Sequence, residues 1–178
     1  MIGMPYIASL DDDRPDIDPT AWIAPGAVVV GRVRIGPRSS LWYGSVLRGD
    51  DEAIVVGAEC DVQDLSCLHA DPDEPAVLED RVSLGHRATV HGAYVETGAL
   101  IGIGATVLGG ARIGAGTLVA AGALVTPGKT IPAGVLVAGV PAKIVRELTD
   151  DDRATFAETP DRYMAKADRH ANRSTRLS

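Results

Sequence analysis

The feature that most constrains this chain is a six-residue beat. Val95, Ile101, Val107, Ile113, Val119, Val125, Ile131 and Val137 follow one another at intervals of six, and all are β-branched. Three places after each of the first seven stands a glycine: Gly98, Gly104, Gly110, Gly116, Gly122, Gly128 and Gly134. A small residue usually comes next, as at Ala99, Ala105, Ala111, Thr117 and Ala123. The same beat runs earlier through Ile23, Val29, Ile35, Leu41 and Leu47. A period of six is not a multiple of 3.6, and glycine at every sixth place would break a helix. A short strand and a tight turn use about six residues, with glycine where the backbone needs positive φ. Three such units make one triangular coil of about 18 residues, and coils stack as parallel strands roughly 4.8 Å apart. The β-branched residue and the small residue four places later both face inward.

The expected fold is therefore all-β, a parallel β-helix of hexapeptide repeats over residues 21–142. Residues 1–20 are expected to cap one end, and residues 143–178 to form a C-terminal helix and tail. The chain has a single Phe and 20 Gly, which suits a narrow aliphatic core. Its net charge of −7 excludes a broad footprint for nucleic acid or an anionic membrane. No apolar run approaches the roughly 18 residues of a transmembrane helix. Met1 to Leu10 lack the basic-then-apolar order of a secretory signal. Cys60 and Cys67 make no disulfide framework, so a reducing, cytoplasmic location is expected. Cys60 falls on an inward position, and Cys67 on an outward one as an inert thiol.

Thr149 followed by Asp150, Asp151 and Asp152 reads as a helix start, a hydroxyl N-cap with acids in the first turn. The helix is expected to run to about Asp168, with His170 solvated and residues 170–178 frayed. Leu100, Leu118 and Leu136 are spaced by 18, so they stack on one face and call for cover by the helix or another subunit.

The beat is interrupted where Asp50–Val55 and Ala70–Val77 add residues, and where the step from Val90 to Val95 is five. All three irregularities surround histidines. His69 follows Leu68 and His91 follows Val90, so both point outward. They lie 22 apart; if the acidic loop absorbs four residues, they sit one above the other and can share an ion. His86 lies near a corner of the same coil and cannot turn to that ion, but it can reach the equivalent site on a neighbouring molecule. The register thus predicts a metal shared between subunits, and a homotrimer suits a triangular prism. Three imidazoles leave one coordination position open.

Arg48-Gly49-Asp50, Val62-Gln63-Asp64, Leu68-His69 and the run from Gly85 to His91 together resemble the γ-class carbonic anhydrases. The likeness extends from about Thr20 to Leu148, including Gly139 to Leu148. It implies a left-handed helix, a Zn²⁺-type ion (Fe²⁺ or Co²⁺ also suits the donors), and reversible hydration of CO₂ to bicarbonate. His69 and His91 would come from one subunit and His86 from its neighbour. Arg48 and Asp50 would form an intersubunit ion pair. Gln63 would hydrogen-bond the metal-bound hydroxide or the bicarbonate, and Asp64 would support the local network. The family usually has Asn-x-Gln-Asp-Gly before its first ligand; here Asp61 and Leu65 replace the Asn and the Gly. Leu65 predicts a locally altered backbone. The family's proton-shuttling Glu has no match, and Asp51, Glu52, Asp71, Asp73 and Glu74 read as solvated acids. The aromatic and amide residues near the family's site also lack a counterpart. Rival readings are a coenzyme A-dependent acyltransferase with one catalytic His, a metal-dependent thioesterase or hydrolase, and a trimeric scaffold.

Overall fold

The computed structural model describes residues 4–174, and the six-residue units build a three-faced parallel β-helix of about seven coils. The β-branched positions from Val95 to Val137 are at most 1% exposed, as are Ala99, Ala105 and Ala111. They form one continuous aliphatic core inside the prism. The seven glycines from Gly98 to Gly134 all have φ between 59° and 69°, the left-handed corner that a Cβ disfavours.

Each coil crosses three faces in turn. The first face carries Tyr6–Ala8, Cys67–His69, Thr89–His91, Thr106–Val107 and Leu124–Val125, with the front halves of Val28–Ile35 and Val46–Val56. The second carries the back halves of those two long strands, then Ala76–Leu78, Tyr94–Val95, Arg112–Ile113 and Thr130–Ile131. The third is an eight-stranded sheet from Trp22–Ile23 to Val135–Ala138, closed by Lys143–Glu147, which turns back antiparallel.

The two long strands mark the irregular zone. Their register shifts between Gly31 and Val33. A Cβ on Gly31 would lie 2.3 Å from the Gly49 carbonyl oxygen, and one on Gly49 would lie 2.5 Å from that of Arg32. The backbones touch at this bulge, so Gly49 between Arg48 and Asp50 is a packing necessity.

The expected cap of residues 1–20 takes the form of a further rung: Tyr6–Ala8 and Asp16–Ile17 pair parallel with Val28–Ile35. Residues 1–3 of that segment and 175–178 of the expected frayed tail lie outside the described residues. Thr149 caps α1 (Asp150–Ala157) through a capping box with Asp152, as the hydroxyl and the following acids predict. Arg146 and the Thr149 amide hold the Asp152 carboxyl well below the usual carboxylate range. A second helix, α2 (Thr159–Arg173), continues past Asp168. It packs against Trp22–Ile23, Ser40–Leu41 and Asp61–Val62 on the third face. Leu100, Leu118 and Leu136 do stack in register on that face. They lie on rungs above those under α2 and stay half-buried. Among the described residues no helix is long and apolar enough to cross a membrane.

His170 corrects its sequence expectation. Its Nδ1 lies 2.9 Å from the Tyr43 hydroxyl, and its ring packs on Trp22 and Trp42. Tyr163, Ala167 and His170 are spaced i, i+4 and i+7, the apolar stripe of an amphipathic helix. Trp22, Trp42, Tyr43 and Tyr163 thus cluster with His170 outside the spool, between its third face and α2.

Leu65 also differs from expectation. Its φ is +62°, inside the range of the glycine corners, so the turn keeps its shape and the leucine bears the strain. Its side chain lies over Gly44, where a Cβ would meet Leu65 Cδ2 at 2.7 Å.

Candidate metal centre

The solenoid register sets His69 directly beneath His91 at the end of the first face. Arg48 is the next rung below. The loop after His69 closes as a tight turn, with the Glu74 amide donating to the Asp71 carbonyl and Asp73 at φ +66°. That turn absorbs the extra residues and restores the stack.

The paired rings face each other, with His69 Nδ1 3.0 Å from His91 Nε2. On the other side of its ring, His69 Nε2 lies 3.0 Å from Asp50 Oδ1. An ionised carboxylate only accepts, so Asp50 fixes the proton of neutral His69 on Nε2 and leaves the Nδ1 lone pair facing His91. This is the carboxylate–histidine arrangement that orients metal ligands. Burial acts to raise the Asp50 carboxyl, but hydrogen bonds from Arg48, its own backbone amide and His69 outweigh it and hold it low. The donor spacing fits an ion: at the ordinary zinc–nitrogen distance, two tetrahedral nitrogens stand about 3.3 Å apart. His69 is the more enclosed ring, its side chain 13% exposed.

Asp71 Oδ2 lies 3.7 Å from His91 Nδ1, and Asp51 Oδ2 3.8 Å from His69 Nε2. Both acids are exposed at the rim. Arg48 pairs with Asp50 of its own chain. They are two residues apart on one strand and so share a face, which makes this the nearest carboxylate for the guanidinium. Cys67 faces outward and its thiol is raised by burial, so it stays protonated at neutral pH. Cys60 is core, its thiol pushed up to about 12.

His86 sits at the opposite corner, in the turn that precedes Thr89–His91. The width of the first face separates it from the pair, and no metal-sized donor group within this chain includes it among the described residues. Asp64 Oδ2 lies 2.9 Å from His86 Nδ1, within ion-pair distance. The Tyr163 hydroxyl approaches Nε2 at 3.3 Å. Burial, with the charges of Asp61 and Asp64, pushes that phenol up to about 12, so it remains a donor. Its acceptor is the single Nε2 lone pair, which this contact engages, and the ring lines a surface cleft with Trp42, Tyr43, Tyr163 and Lys166.

Gln63 precedes Asp64 and is 6% exposed. Its Nε2 donates to Asp61 Oδ1 at 2.7 Å, and the Ser83 hydroxyl donates to Asp61 Oδ2 at 2.6 Å. Sequence reasoning missed two features: the burial of Asp61 and the approach of Tyr163 to His86. The Asp61 burial was readable in part, since the repeat places it on a strand of the third face. The second required knowing where α2 docks.

The chain is 49% identical over 142 residues to a Methanocaldococcus jannaschii protein named "Probable carbonic anhydrase", covering 80% of this chain and 89% of that one. It is 46% identical over 171 residues to gamma carbonic anhydrase 3, mitochondrial, of Arabidopsis thaliana, covering 93% of this chain and 66% of that longer protein. A solved structure of a hexapeptide transferase family protein from Anaplasma phagocytophilum superposes with a TM-score of 0.88 at 34% identity, covering 92% of this chain and 96% of that one. No family model matches the chain. The repeat, the solenoid and these relatives together place the chain in the γ-class carbonic anhydrase family.

Proposed function

We propose that this protein is a metal-dependent carbonic anhydrase that hydrates CO₂ reversibly as a homotrimer. The ion is held by His69 and His91 of one chain and His86 of the partner subunit. The observation that carries the reading is the pair of facing nitrogens, His69 Nδ1 and His91 Nε2, with Asp50 committed to the far side of His69. Zn²⁺ suits three imidazoles, and Fe²⁺ and Co²⁺ suit them too.

A divalent ion bound there supplies a water whose pKa is brought from 15.7 to about 7, and so a nucleophile at neutral pH. The chain's own groups supply the rest. Asp50 holds the His69 tautomer, and Arg48 keeps Asp50 ionised. Asp64, 2.9 Å from His86 Nδ1, favours the proton on that nitrogen, and Nε2 serves the neighbouring site once the Tyr163 hydroxyl gives it up. Gln63 meets the oxygen of the reacting species with its carboxamide. Asp51 and Asp71 stand at the rim, where a released proton reaches solvent.

The test is metal analysis and stopped-flow CO₂ hydration on protein purified without oxygen, beside His91→Ala. The expected result is a stoichiometric ion and hydration activity, both lost in the variant. Equal metal content in the two proteins would sink the proposed site. The transferase name of the solved relative favours one rival, acyl transfer from coenzyme A. Activity that persists after metal removal, together with acetyl-coenzyme A binding, would select it.

A further inference from the structure

Asp61 is a buried acid for which the mechanism above has no use. It stands where the family usually carries Asn, and it is 1% exposed. Both its oxygens are engaged, one by Gln63 and one by Ser83. An ionised carboxylate has no proton to give, so it can face only the NH₂ end of the Gln63 carboxamide. Gln63 Oε1 finds no protein partner among the described residues, and no buried side-chain polar atom there lacks one. That oxygen therefore reaches solvent. With Asp61 ionised, Gln63 presents an acceptor. With Asp61 protonated, its O–H can donate to Gln63 Oε1; the carboxamide then turns over and presents its NH₂ as a donor.

We propose that Asp61 is a protonation-dependent positioning residue that selects which end of the Gln63 carboxamide faces the reacting species. The inference rests on the assignment of Gln63 to that contact. Asn at this position has both a donor and an acceptor and carries no charge, so it cannot switch with pH. The ionised form suits a bound species that donates a hydrogen bond. The protonated form suits an anionic oxygen.

The surroundings put the change within the working range. Burial pushes Asp61 up to about 7, opposed by the hydrogen bonds from Ser83 and Gln63 and by Lys166 and Arg162. The charged and titratable groups that face it are Lys166, Arg162 and Tyr163 from α2 and Cys60, the residue just before its strand. The neighbouring strands on either side offer only the neutral Ser40 and Ser83. Cys60 and Tyr163 are each pushed up to about 12 and keep their protons throughout.

The sequence makes the test clean, because Gln63 is the only glutamine in the chain. Protein labelled with ¹⁵N in glutamine gives one side-chain NH₂ pair, which can be followed by NMR from pH 5 to 9. The expected result is a titration of that pair with a midpoint near 7. Asp61→Asn should abolish it. Ser83→Ala, which removes a donor to the ionised form, should move the midpoint upward. A Gln63 signal that does not titrate, or that titrates identically in Asp61→Asn, overturns the proposal. Should Asp61→Asn fail to fold, an unchanged midpoint in Ser83→Ala has the same force. The readout needs neither CO₂ nor turnover. Loss of the carbonic anhydrase assignment would therefore appear as absent hydration with the titration intact.

Discussion

The coils that carry the histidines and the regular coils above them use the same corner in two ways. Along one edge of the prism the left-handed position is held by Arg38, Glu59 and Arg81 in the lower coils and by Gly98, Gly116 and Gly134 above. Along another it passes from Gly44 to Leu65 and Arg87, then to Gly104 and Gly122. A side chain at such a corner costs about 1–2 kcal/mol. The upper coils avoid that cost. The lower coils accept it, and on the first edge the side chains do something in return. Arg81 bonds Glu59 at 2.6 Å and Asp161 of α2 at 2.8 Å, while Arg38 stands 3.7 Å from Glu59. The strained corner is a rail on which α2 docks, and α2 brings Tyr163 to His86. Regular coils supply rigidity, and irregular coils trade some of it for placed polar groups.

This contrast can be broken from either side. The largest expected effect is His91→Ala, which should cut CO₂ hydration by more than the roughly 100-fold ceiling of an outer-partner loss while leaving the melting curve nearly unchanged. Ile113→Ala, in the regular stack and fully buried, should do the converse. Chemical denaturation should show about 2–5 kcal/mol lost, with metal content per folded chain intact. Asp64→Asn leaves an amide beside His86 and should lower activity or metal affinity by about 10- to 100-fold, read by metal titration.

Asp61→Asn tests the lower coils by pH. The folded value of Asp61 lies above its unfolded value of 3.8, at about 7. Between those two values the native state holds a proton that the unfolded chain has lost. The stability conferred by that proton is full below 3.8 and is lost as pH rises through about 7. The Asn variant should nearly match the parent at pH 4 and exceed it at pH 8 by on the order of 4 kcal/mol in denaturant titrations. The smallest effects come from a reciprocal pair on one edge. Gly104→Ala meets no atom within 4 Å, so only its φ of +66° is at stake, and it should lose about 1 kcal/mol. Leu65→Gly should gain somewhat less, about 0.5 kcal/mol, because glycine is freer when unfolded. Calorimetry on the two should give opposite signs.

The spool was legible in the sequence because its physics is local and repeated. Once Val95 and Gly98 fix one unit, each following unit obeys the same constraint. The stacking of His69 on His91 was legible for the same reason, with the extra residues near Pro72 absorbed in a turn. What lay beyond the repeat was harder to read. His170 looked like tail, because its partners Trp22, Trp42 and Tyr43 are more than a hundred residues away in the chain. Asp61 stood out in the sequence only as a replacement for the family's usual Asn, because its burial comes from α2 packing over the third face. Leu65 was expected to bend the backbone, yet the neighbouring rungs overdetermine the turn, and the residue conforms.

The direction of Lys143–Glu147 sets how the third face of the spool ends. Each rung of a parallel solenoid is a template for another of the same sense, and nothing in its core limits the count. The final strand runs against that sense, and all five of its residues are exposed, with Lys143, Arg146 and Glu147 among them. A second molecule arriving at that edge finds reversed polarity and charged side chains in place of an invitation to continue. The same segment that hands the chain over to its helices thus acts as a terminator against fibre growth.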